Sequence, residues 1–219
     1  MEMGRQSFFN QIIINLNTNM KKIILTVATF VLSMTLHAQQ SIGKFTMSFT
    51  DSEFSVEATE PKDGEYKLYI DMFSLDKSVK AGGITVKSKD VPALIALLQD
   101  VKAKYTEWEK LAQENGVAEL DKEIPTTNRP KCGGFFRYGD WKFDYSVTLS
   151  PRFFKTPDNT LALVHTGKMI ASDNQYIDAS DFVFAFKGVD EIDELISLLD
   201  PQKVIDFYSK KTDTEDLFN

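Results

Sequence analysis

From Lys44 to Thr50 apolar and polar residues alternate without a break: Phe45, Met47 and Phe49 share one face, Lys44, Thr46, Ser48 and Thr50 the other. A period of two marks a strand with one buried face. The same period recurs often enough to set the fold class. Phe54, Val56 and Ala58 alternate with Glu53, Ser55, Glu57 and Thr59. A Pro-Lys-Asp-Gly turn at 61–64 leads into Tyr66, Leu68, Ile70 and Met72, and Ile84 and Val86 mark a fourth strand after Gly82 and Gly83. At Asp90 the period becomes helical. Asp90 stands as an N-cap with Pro92 in the first turn, and Val91, Leu94, Ile95, Leu98, Val101, Tyr105, Trp108 and Leu111 form one stripe ending at Gly116. That stripe is expected to cover the apolar face of the preceding sheet, which cannot be left in water.

The pattern then restarts. Past a connector over 117–134, Phe136 and Tyr138 run through a Gly139-Asp140 turn into Trp141, Phe143, Tyr145, Val147 and Leu149. Residues 161–170 and Phe182, Phe184 and Phe186 supply further strands. A helix capped by Asp190 carries Ile192, Leu195, Ile196 and Leu199, and Asp200-Pro201 opens a last helix through Val204, Ile205 and Tyr208. The expected fold is α+β: two ββββα units, 39–116 and 135–211, related by a pseudo-twofold duplication, with a C-terminal helix in the second and a tail at 212–219. Residues 84–87 match 184–187 in pattern, and Val91, Leu94, Ile95 and Leu98 match Ile192, Leu195, Ile196 and Leu199 after a one-residue slip.

A tandem ββββα order resembles the whirly and PUR-repeat single-strand nucleic-acid binders, over most of the chain after residue 38. The likeness is one of topology, and no binding motif of those families is matched. It implies two units packed about a pseudo-twofold axis. Single-strand binding needs a basic, aromatic-studded sheet face. Here the outward positions mix Lys44 and Lys67 with Glu53, Glu57 and Asp71, and the chain's net charge is −7. No nucleic-acid partner is expected.

Residues 20–38 read as a bacterial secretory signal: Lys21 and Lys22, an apolar run over 23–36, then Ala38 before Gln39. Cleavage is expected after Ala38, with Met20 as the start and 1–19 as an upstream extension. The apolar run is shorter than the roughly 20 residues of a membrane-spanning helix, so a soluble periplasmic or secreted product is expected. Its removal takes away more basic than acidic residues and leaves about 180 residues, enough for one shared core.

Beyond residue 38 the chain has a single cysteine, Cys132, and a single histidine, His165. A disulfide framework and a Cys/His metal cluster are thereby excluded. A tolerated free thiol is the expectation for Cys132; a Cys132–His165 nucleophile pair or a disulfide between two chains is the alternative. Asp173, Asn174, Asp178 and Asp181 gather in 171–181 at a spacing that fails the calcium-loop template, so a solvated loop is expected. No cofactor, metal or catalytic residue is assigned. The richest segment is 133–154. Trp141, Phe143 and Tyr145 share parity with Val147 and Leu149 and are expected in the core. Phe135, Arg137, Arg152, Phe153 and Phe154 are the candidate binding surface for a protein, peptide or glycan. The leading expectation is a non-catalytic, exported binding protein, possible as a homodimer. Its rivals are a carboxylate-dependent hydrolase, with pairs such as Asp140 and Asp144, and single-strand binding by fold analogy.

Overall fold

The computed structural model describes residues 39–216. The signal segment, its cleavage site and the start at Met20 lie outside these residues. Turn chemistry operates where the sequence signals it most strongly. Asp63 and Gly64 hold φ of 52° and 79°, and Lys62 and Glu65 exchange backbone hydrogen bonds across them at 2.9 and 2.8 Å. Positive φ at both central positions is the hairpin geometry that suits strand twist. Gly139, at φ 71°, closes the second expected hairpin.

Along the chain come β1 (Gln40–Met47), β2 (Ser52–Ala58), β3 (Lys67–Asp71), β4 (Phe73–Ser74), β5 (Gly82–Lys87), a 3-10 turn (Ser88–Asp90) and α1 (Val91–Glu114). Then follow β6 (Leu120–Glu123), β7 (Cys132–Tyr138), β8 (Asp140–Val147), β9 (Ser150–Lys155) and β10 (Thr160–His165). The last elements are β11 (Met169–Ile170), β12 (Asp178–Ala179), β13 (Phe182–Phe186), α2 (Val189–Leu198) and α3 (Pro201–Asp216). The fold is mixed α+β, and its strand pairs are antiparallel. A six-stranded sheet has the order β1-β2-β3-β5-β7-β8, a five-stranded sheet the order β4-β13-β10-β9-β6, and β11 pairs β12. No helix among the described residues is long and apolar enough to cross a membrane.

Sheet membership does not divide at the connector. β7 and β8, expected to open a second sheet, extend the first. Glycine permits this close approach: a Cβ on Gly82 of β5 would come within 2.5 Å of the Phe135 carbonyl oxygen on β7. The connector itself contributes β6, paired with β9, a strand the alternation did not mark. Residues 161–170 are not one strand; Gly167, at φ 69°, lies between β10 and β11.

The helix stripe also lands elsewhere than expected. α1 lies against β9 and β10, with the Tyr105 and Trp108 rings each 5.9 Å from Phe153 and the Tyr105 hydroxyl donating to the Lys187 carbonyl at 2.6 Å. The inner face of the six-stranded sheet meets β13 through Phe45 and Phe184, 5.9 Å apart. Buried residues of both halves thus form one cluster. Phe49, expected to continue the β1 face, sits exposed in the following turn. Asp90 and Asp190 make no side-chain caps; Gly188 starts α2, and Asp190 lies in its first turn. Asp200 does cap, accepting the Gln202 N–H at 2.9 Å.

Both edges of the six-stranded sheet are partly covered. At the end of β1, Glu194 accepts the Thr46 N–H at 2.9 Å and Glu191 the N–H of Ser48, just past the strand, at 3.1 Å, while the second oxygen of Glu191 takes the Lys187 N–H at 2.9 Å. On β8, the Phe143 carbonyl accepts the Ser172 N–H at 2.8 Å, and Asp144 the Ile170 N–H at 2.9 Å. Unpaired edges template association, and covering them suppresses it. Glu191→Ala is expected to cost between about 1 and 2 kcal/mol in urea unfolding, because it strands two backbone donors and their charged acceptor is gone.

Candidate functional site

With its inner face in the core, the six-stranded sheet has an outer face whose register fixes what lies together. Glu57 stands opposite Tyr69, Tyr69 opposite Thr85, and Thr85 opposite Gly133. One step along, Asp71 stands opposite Gly83, Gly83 opposite Phe135, and Phe135 opposite Phe143. Facing residues of an antiparallel pair share a face, so these rows belong to one surface.

Trp141, Phe143 and Tyr145 follow along β8 on this surface, exposed to 50%, 40% and 82%. The sequence expectation placed them in the core, and a bulge explains the reversal. Cys132 faces Val147 but Gly134 faces Asp144, so β8 has one residue more than β7 between these pairs. The extra residue switches parity: Val147 turns inward while Tyr145 turns out. Ser146 donates its N–H to Asp144 at 3.0 Å within the irregularity.

The five candidate binding residues do not form one surface. Phe135 and Arg137 lie on β7, whereas Arg152, Phe153 and Phe154 lie on β9 of the other sheet. Phe153 is fully buried beneath Tyr105 and Trp108. Arg152 is tied to Asp121 at 2.8 Å, Phe154 is half-buried and Arg137 is exposed. Phe135 is on the open face but only 5% exposed, because Trp141 and Tyr69 close over it with ring centroids 5.7 Å away on either side.

Two recesses flank the aromatics. One, of about 320 Å³, brings Trp141 and Phe135 against Glu57, Asp71 and Lys80. Burial and then the Glu57 carboxylate push the Asp71 carboxyl up to about 6, against a weaker opposing pull from the Ser55 N–H. The other, of about 410 Å³, gathers Lys67, Lys87, Lys89 and Lys131 around Gly133 and Tyr145. Alternation along β3 already places Lys67, Tyr69 and Asp71 outward. What it cannot give is the neighbouring strand, and hence the convergence of Lys87 and Lys131.

The remaining titratable groups have structural partners. Cys132 is buried, and burial followed by Asp90 pushes its thiol up to about 12, far from a thiolate nucleophile. His165 Nδ1 is 2.5 Å from Asp181, not paired with the cysteine. Burial opposes ionisation of Asp181, but the His165 contact and the N–H of Gly167 outweigh it and hold its carboxyl low. In 171–181, Asp173 pairs with Lys142 and Asp178 with Lys168, each at 2.8 Å, so these acids point to separate cations. Asp144 is occupied by backbone N–H groups, which leaves the Asp140 and Asp144 pair without a free second acid. Comparisons with family models, with curated proteins and with solved structures found no match.

Proposed function

We propose that the chain is an exported, non-catalytic binding protein of the bacterial envelope whose ligand lies on the outer face of the six-stranded sheet, along β8. The observation that carries this reading is the row Trp141, Phe143 and Tyr145, three large aromatics left in water on one strand of a well-packed sheet. Surface aromatics gathered on one face mark interaction sites, whereas scattered ones do not. The chain has two tryptophans, and Trp108 rests half-buried against Phe153. In a Trp108→Phe background Trp141 becomes the reporter. A glycan or peptide that occupies the face is expected to change its emission, and Trp141→Ala to weaken binding at least tenfold. Binding that is untouched by Trp141→Ala and Tyr145→Ala would overturn the reading. Export is tested separately, by finding mature protein that begins at Gln39 in the periplasmic or extracellular fraction.

A second reading, carboxylate-dependent glycoside hydrolysis, has one observation in its favour. Asp71, pushed up to about 6, adjoins the Glu57 carboxylate beside Trp141, and a carboxyl that keeps its proton next to a second acid is what general-acid hydrolysis uses. Hydrolysis of an oligosaccharide that is abolished by both Asp71→Asn and Glu57→Gln would establish it; its absence leaves the binding reading.

A further inference from the structure

We infer that the ligand is an acidic glycan, with a carboxylate or sulfate held in the lysine recess and its sugar rings lying along Tyr145, Phe143 and Trp141. This inference rests on the reading that the open face of the six-stranded sheet is the binding site.

Lys67 and Lys87 stand directly opposite each other on β3 and β5. Like charges at facing positions repel, and Lys89 and Lys131 add two more ammonium groups to the same recess. Asp90 is the one carboxylate in its lining. Among the described residues none of the four lysines takes part in an ion pair. In a chain of 25 basic and 32 acidic residues, four such lysines around one opening leave a charge that an anion from outside would offset. The floor suits an oxyanion. A Cβ at Gly133 would come within 2.7 Å of the Thr85 hydroxyl, so the absence of a side chain there leaves that donor reachable.

What lies beside the recess favours sugars. Tyr145 lines the opening, and Phe143 and Trp141 follow on the same face at steps of about 7 Å along the strand. Rings presented this way suit the C–H faces of sugars. Glu57 and Asp71 beyond Trp141 can accept hydroxyl hydrogen bonds. A nucleic-acid strand would also welcome lysines and aromatics, but it carries a phosphate on every unit, some of which would meet Glu57 and Asp71 on the same face, whereas a glycan with an acid on only some of its rings sets hydroxyls there. A peptide gains most of its affinity on a sheet by adding a strand to an edge. Here Glu194 occupies the Thr46 donor at the end of β1 and Glu191 the Ser48 donor just past it, and Ser172 takes the Phe143 carbonyl on β8.

Affinity electrophoresis of the chain from Gln39 onward tests this, in gels containing partly methyl-esterified polygalacturonate, lightly sulfated dextran or neutral dextran, with oligothymidylate titrated separately. Retardation is expected by an acidic polymer and not by neutral dextran, and the tighter of the two acidic polymers identifies the anionic group. Lys87→Gln/Lys131→Gln should weaken binding at least tenfold and flatten its salt dependence, with the urea midpoint unchanged as the check on folding. Trp141→Ala should weaken it too. No retardation by either acidic polymer overturns the inference, as does tighter binding of oligothymidylate. Neutral dextran bound through Trp141 but indifferent to the lysine variant overturns the inference and leaves the open-face reading standing. Acidic-polymer binding indifferent to Trp141→Ala and Tyr145→Ala overturns both.

Discussion

Phe153→Ala is expected to destabilise the protein by about 4 kcal/mol, the range for emptying a phenylalanine site in a packed core. The side chain is fully buried on β9. It faces Ala162 across the sheet and packs against the Tyr105 and Trp108 rings at 5.9 Å. Truncation removes the partner of both rings at once, at the point where α1 is held to the five-stranded sheet. The surroundings cannot collapse freely to fill the gap, because Tyr105 is tethered by its hydroxyl to Lys187 and Trp108 lies under the Lys122 ammonium at 4.4 Å. Urea unfolding followed by far-UV circular dichroism measures the loss, and Trp108 emission should move to the red as its apolar contact goes. The outcome separates two roles for one residue. A ligand contact on an exposed surface would lose affinity on truncation and leave the unfolding midpoint nearly where it was.

That a residue chosen as a surface contact lies in the core marks where sequence reasoning stops. The period-two runs located β1, β2, β3, β5 and β13 because each has one face or both in the core, and burial writes itself into alternation; β8 alternates too, but its aromatic face lies in water. Alternation carries no information on which strand lies beside which. Gly82 lets β7 dock on β5, yet in the sequence it reads only as a turn residue. Counting back from Val147 in steps of two puts Trp141, Phe143 and Tyr145 on the core face. One bulged residue between Tyr145 and Val147 defeats that count, since every side chain before it changes face. Helix positions were legible from period and Pro92. The sheet that α1 covers was not, because a stripe of Leu94, Val101 and Tyr105 fits any apolar surface of the right width. Half of the candidate site was therefore visible: Lys67, Glu57 and Asp71 as outward residues, Phe135 and Arg137 as members of the right strand. The lysine recess needed the β3-β5-β7 order, which is a long-range fact.

Asp71 gives the second large effect, and its sign is opposite to that of most acidic groups. Burial and then Glu57 raise its carboxyl from 3.8 to about 6 in the folded protein. Above the folded value both folded and unfolded chains are ionised, and the folded state bears the full cost of an ill-solvated charge. Between 3.8 and about 6 the folded chain keeps a proton that the unfolded chain has lost. Stability therefore falls as pH rises through that window. A shift of this size, discounted for partial solvent screening, corresponds to on the order of 2 kcal/mol. Asp71→Asn removes the titration, so the variant is expected to be more stable than the parent at pH 7 by about that amount, and the gap should close towards pH 4. Urea unfolding at pH 4.5, 5.5 and 7 measures the difference between the two proteins, in which contributions from groups that do not interact with Asp71 cancel. Asp181, whose carboxyl is held low, contributes in the contrary direction: its stabilisation is complete above the ordinary carboxylate value and is lost as pH falls. It affects both proteins alike. A gap that does not vary with pH would mean that Asp71 is solvated and ionised like a surface acid. The recess beside Trp141 would then present a fixed carboxylate, and not a group that donates a hydrogen bond below pH 6 and accepts one above it.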